Sequence, residues 1–182
     1  MNDGAMREGT FKQIVTVGDF ITFLEQLADM AEGNSRTLED YLRSVLGNTL
    51  AHRNEAPTWQ LLAQVLADGL TTSPMPFDPA WLAVTNPPAA WKPEITMSDP
   101  FAVAQQMLQY QIADLHRMAD AGTINHPYRY GGIDSPTGHR WFNFDPYAFL
   151  ECASSGMNGG DNTTDCSWLD LSSMLWLGQN YE

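Results

Sequence analysis

Few residues in this chain are of types that do chemistry, and their spacing does not assemble a reaction centre. The four histidines, His52, His116, His126 and His139, include no H-E-x-x-H or H-x-H arrangement, whereas metal binding needs several ligands converging at helical or turn spacing. His116 and Asp120 stand four apart. That spacing places both on one face of a helix, which reads first as a surface contact and second as half of a metal site. His126 and His139 flank a loop carrying Asp134 and would make a His/His/Asp site only if the loop folded back on itself. Cys152 and Cys166 lie 14 apart with no C-x-x-C pair and no nearby His, so they read as reduced, buried thiols, with a disulfide as the alternative. There is no G-x-S-x-G turn, lysine occurs only at positions 12 and 92, and Gly159-Gly160 is followed by Asp161. That acid has the wrong charge for a phosphate cradle. The sequence therefore assigns no catalytic residue, no metal and no cofactor.

Charge says more. The 182 residues hold 22 acids against 9 Lys and Arg, a formal net charge of −13 and a pI near 4.4. Nucleic acid and anionic membrane surfaces repel such a chain, so neither is expected as a partner. The last basic residue is Arg140, and residues 141–182 carry Asp145, Glu151, Asp161, Asp165, Asp170 and Glu182 with no Lys or Arg. A one-signed field of that kind speeds the docking of a basic partner, although acidity also serves solubility alone. The opening residues 1–8 show no basic patch followed by an apolar stretch, and no apolar run approaches the ~20 residues of a membrane span. A cytoplasmic protein is the expectation.

The elements follow from apolar periodicity. Residues 1–15 read as a flexible lead-in. Phe20, Phe23, Leu24, Leu27 and Met30 recur at spacings of three and four, predicting a helix from about Thr16 to near Gly33. Thr37 caps a second helix whose apolar face is Leu38, Tyr41, Leu42, Val45 and Leu46, with Asp40 at the capping-box position. Thr58 caps a third, striped by Trp59, Leu62, Val65 and Leu66 and closed by Gly69. These make a first helical unit over 16–70. Residues 71–98 mix Pro74, Pro76, Pro79, Pro87, Pro88 and Pro93 with Phe77, Trp81 and Trp91, which predicts an ordered connector laid over the core. Asp99-Pro100 opens the longest helix, with Phe101, Ala104, Met107, Leu108, Ile112, Leu115 and Met118 as its stripe and Gly122 as its stop.

The second unit, 99–182, includes a loop at 123–144 dense in Tyr128, Tyr130, Trp141, Phe142 and Phe144. A short hairpin could form there between 128–132 and 140–144. The loop reads either as an aromatic plug on the core or as an interface, since aromatics and Arg dominate protein interfaces. A short helix from Asp145-Pro146 to about Ala153 and a last one from Ser167 to about Leu177 complete the chain. The overall expectation is a mainly α protein of six or so helices in one compact domain. Its two units look related: Thr37–Leu42 precedes Thr58-Trp59 as Phe144–Leu150 precedes Ser167-Trp168, with the last Leu and the Trp 17 and 18 residues apart. That pattern reads as a degenerate duplication.

The runs Asp19-Phe20…Phe23-Leu24, Thr37-Leu38-Glu39-Asp40-Tyr41-Leu42 and Pro57-Thr58-Trp59-Gln60-Leu61-Leu62-Ala63, with Tyr181-Glu182 far beyond, resemble a short bacterial domain of unknown function. Its pattern is D-F-x-x-F-L, T-L-E-D-[FY]-L, P-[ST]-W-x-L-x-A and a closing Tyr-Glu pair. The resemblance covers roughly residues 16–69, with a fainter echo at 141–182, and rests mostly on core and capping positions. It implies a small immunity or accessory protein of a bacterial toxin system.

The expected function is therefore that of a non-enzymatic, acidic protein-binding protein. The leading reading is an immunity-type inhibitor occluding a basic toxin, a nuclease first of all, through Asp134, Arg140, Asp145, Glu151, Asp161, Asp165 and Asp170. A homo-oligomeric structural or regulatory adaptor is the alternative, and a hydrolase-type enzyme built on the 123–144 loop is the third.

Overall fold

A helix leaves its first N–H groups without intrahelical partners, and in this chain the helices start where a short oxygen-bearing side chain supplies them. The computed structural model describes residues 11, 13–31, 36–83, 99–120 and 164–171. Within them α1 runs Val17–Ala31, α2 Leu38–Ala51, α3 Trp59–Asp68 and α4 Pro100–Asp120, with a short 3-10 helix at Pro79–Ala83. Residues 168–171 form a further helical turn, and no strand occurs among the described residues. The protein is mainly α.

The caps explain these boundaries. Thr37 Oγ1 accepts from Asp40 N at 3.1 Å, and Thr58 Oγ1 accepts from Leu61 N at 3.0 Å. Asp99 Oδ1 accepts from Phe101 N at 3.1 Å and from Ala102 N at 3.2 Å, just ahead of the proline that opens α4. Asp40, expected as a capping-box acid, turns its carboxylate to Arg43 instead. The guanidinium one turn along outcompetes a backbone N–H for a side chain this short. Reciprocal boxes form elsewhere with Asp in the acid position. Thr16 Oγ1 accepts from Asp19 N at 3.2 Å while Asp19 Oδ2 accepts from Thr16 N at 2.9 Å. Ser167 Oγ accepts from Leu169 N at 3.2 Å while Asp170 Oδ2 accepts from Ser167 N at 2.7 Å.

Packing follows the apolar stripes. Phe20, Phe23, Leu24 and Leu27 of α1, Tyr41, Leu42, Val45 and Leu46 of α2, Trp59, Leu62, Val65 and Leu66 of α3, and Ala104, Leu108, Ile112 and Leu115 of α4 share one buried cluster. Fully burying a large apolar side chain contributes about 1.5–3 kcal/mol, so these stripes fix how each helix is rotated. Helix α2 packs against both α3 and α4, α1 packs against α3, and the 3-10 helix packs against α4. Phe11 and Ile14, within the expected lead-in, also lie on this core. The ring centroids of Phe20 and Trp59 are 5.1 Å apart, and those of Phe101 and Trp168 are 5.5 Å apart. In each half, a Trp opening a capped helix meets a Phe from the start of a preceding long helix. The Phe144–Leu150 segment, on which the rest of the apparent repeat depends, lies outside the described residues. So do residues 84–98, the loop 123–144 and the expected short helix at 145–153.

The C-terminal end of α3 is where backbone demand is highest. Gly69 N donates to Val65 O, Leu70 N to Ala67 O, and both Thr71 N and Thr72 N to Asp68 O. Two carbonyls remain, and side chains from outside the helix reach them. Tyr41 Oη donates to Leu66 O at 2.9 Å and Arg36 Nη1 donates to Gly69 O at 3.1 Å. Gly69 permits this approach. A Cβ there would lie 2.8 Å from Val45 Cγ2 and 2.9 Å from Tyr41 Cε2, whereas a Cβ at Gly47, in the middle of α2, would meet only Met75 at 3.6 Å.

The connector is ordered as far as it is described. Trp81 is buried, and Phe77 meets it edge-on at 5.3 Å. Arg43 Nη1 donates to Met75 O at 3.0 Å and Arg117 Nη1 to Leu82 O at 3.3 Å. Ser44 Oγ donates to Thr72 O at 3.0 Å, and Asn48 Nδ2 donates to Thr72 Oγ1 at 3.2 Å.

Gly69→Ala should destabilise the protein by about 1–3 kcal/mol through overpacking, while Gly47→Ala should be neutral or stabilising by up to about 1 kcal/mol. Urea unfolding of the two variants beside the parent measures this difference. Tyr41→Phe should cost about 1–3 kcal/mol by stranding the buried Leu66 carbonyl, with the fold unchanged by circular dichroism.

Candidate interaction surface

The sign of the outward field is set by where the few cations go. Among the described residues Arg36, Arg43, Arg53 and Arg117 are the bases. Three of them turn inward. Arg36 holds Ser44 Oγ at 2.8 Å and the end of α3, Arg43 holds Asp40 and the connector, and Arg117 holds the 3-10 helix. Arg53 is the one exposed cation among the described residues, against the exposed acids Asp19, Glu25, Glu55, Asp78, Asp99, Asp120 and Asp165.

Several of those acids have local work. Asp19 and Asp99 cap α1 and α4, and Asp78 Oδ1 accepts from Ala80 N at 2.9 Å at the start of the 3-10 helix. Carboxylates at helix starts also face the positive end of the macrodipole. The backbone N–H groups of Thr16 and Val15 hold the Asp19 carboxyl below its ordinary value. Glu55 pairs with His52 at 2.8 Å.

Of the residues expected to meet a partner, Asp165 and Asp170 lie in the described part. Asp165 is exposed. Asp170 is half-buried, commits one oxygen to the cap at Ser167, and has its carboxyl pushed up by burial. Asp134, Arg140, Asp145, Glu151 and Asp161 lie outside the described residues, as do His126, His139 and Cys152. Cys166 is a free, half-buried thiol. Burial, and then the Asp170 charge, push it up to about 12. It is therefore a thiol at neutral pH and a poor nucleophile.

The pair His116 and Asp120 gains two partners that sequence spacing does not show. His116 Nδ1 lies 3.0 Å from Glu39 Oε1 of α2, and Nε2 lies 3.7 Å from Asp120 Oδ2. The imidazole stacks on Phe77 with centroids 3.9 Å apart and an interplanar angle of 11°. Glu39 and Phe77 are 77 and 39 residues away in sequence, and no local pattern could have linked them to this ring. Here both nitrogens face carboxylates, so the cluster works as a clip joining α2, α4 and the connector. Among the described residues no three His, Cys, Asp or Glu side chains are grouped to hold a metal ion. No helix among them is long and apolar enough to cross a membrane.

Among the described residues these features define an all-helical scaffold with three of four arginines turned inward and seven acids exposed. No protein-family model, curated protein or solved structure matches the chain.

Half-burial lifts the carboxyl of Asp114, with Arg117 opposing, and likewise lifts Asp68, with His52 opposing. A raised folded-state pKa means the folded protein holds the proton more tightly than the unfolded chain does. Stability is then greatest below the ordinary aspartate value of about 3.9 and falls as pH rises through the folded-state value. Asp114→Asn should therefore raise stability at pH 7, by less than about 1 kcal/mol given its partial exposure. The gain should shrink towards zero as pH falls below 4. Thermal unfolding of both proteins across pH 3–7 checks the sign, and a less stable variant at pH 7 would contradict it.

Proposed function

We propose that this protein is a protein-binding inhibitor of the immunity type, which occludes the surface of a basic toxin domain, a nuclease foremost. The observation that carries the reading is the predominantly acidic exterior of the described residues. With Arg36, Arg43 and Arg117 spent on internal contacts, exposed acids outnumber exposed bases by seven to one among the described residues. Residues 141–182 extend the imbalance with six acids and no Lys or Arg. A basic partner is steered to such a surface and a nucleic acid is repelled from it. The D-F-x-x-F-L, T-L-E-D-Y-L and P-T-W-x-L-x-A runs support the immunity reading by their resemblance to a toxin-associated bacterial domain. Asp134, Arg140, Asp145, Glu151, Asp161, Asp165 and Asp170 are the proposed contact residues. Charge there governs association rate and partner choice, and aromatic anchors such as those of the 123–144 loop contribute affinity.

The test is recovery of the partner on immobilised protein from its source cells at low salt, with elution at high salt. The expected result is one basic protein whose toxicity is abolished by a stoichiometric amount of the purified chain. Glu151→Lys, Asp161→Lys and Asp165→Lys together avoid the caps described above. They should slow association with that protein about tenfold or more at low ionic strength, with a smaller effect at high salt. Unchanged association would remove these acids from the interface. Recovery of the chain alone, as a stable oligomer, would replace the inhibitor with a self-assembling adaptor.

A further inference from the structure

We draw no further inference here: the strongest candidate, the side-chain cluster of Glu39, His116 and Asp120 beside Phe77 where α2, α4 and the connector meet, has its two carboxylates on opposite nitrogens of one ring instead of converging on a common point, and nothing in the structure indicates a ligand for it.

Discussion

The end of α3 requires hydrogen-bond donors in a place where water has little access, and the rest of the architecture is arranged around meeting that requirement. A helix C-terminus exposes carbonyls that the helix itself cannot satisfy. Here turn N–H groups take part of the set, and Tyr41 and Arg36 take Leu66 O and Gly69 O. For these side chains to reach, α2 must lie close against α3, and Gly69 supplies the clearance. Once α2 is fixed, its other contacts follow: α4 along it, and the connector stitched to it through Arg43, Ser44 and Asn48. Arg36 also places a positive charge at the negative end of the α3 dipole, a helix with no base in its own last turn.

The connector shows how prolines and aromatics cooperate without regular structure. Pro74, Pro76 and Pro79 limit the backbone, and Phe77 and Trp81 provide the burial that holds it down. Its carbonyls are reached by guanidinium groups from α2 and α4, so an irregular stretch is satisfied by long side chains instead of by a ladder. The same interactions withdraw positive charge from the outside. Fold and surface charge are thus linked through three arginines: the contacts that hold the connector and the α3 terminus also leave Arg53 as the one exposed cation among the described residues.

Helix existence and facing were legible because periodicity is local. Phe20, Phe23, Leu24 and Leu27 had to lie on one stripe, and Thr37, Thr58 and Asp99 cap where their types and positions suggested. Asp40 shows the limit of local reading. Its position fits a capping box, but Arg43 three residues on offers a stronger partner than a backbone N–H does. At Thr16 and Ser167 no such competitor stands at that spacing, and Asp closes the box. The cross-helix partners of His116 and the destinations of Arg36 and Arg117 were not legible. They depend on which helices become neighbours, and periodicity is silent on that. Of the proposed contact residues, Asp170 is the instructive case: sequence gives its charge, while burial and a cap at Ser167 give it a second, structural use.

The distribution of titrating groups gives the scaffold two kinds of joint. At the ends of α2 and α3 the holding groups are a phenol, a guanidinium, hydroxyls and backbone carbonyls, and burial moves the Tyr41 phenol still further from the neutral range. At the starts of α1, α4, the 3-10 helix and the 168–171 turn they are carboxylates. At the start of α1 the backbone N–H groups of Thr16 and Val15 hold the Asp19 carboxyl below its ordinary value, so that joint favours the ionised form. Asp19 therefore contributes stability that is present above the ordinary aspartate value of about 3.9 and is lost as pH falls, whereas the half-buried Asp170 favours its protonated form and acts in the opposite sense. Two caps built on the same Ser/Thr-x-x-Asp spacing thus answer acid with opposite signs, because one carboxylate stands in water and the other is half-buried.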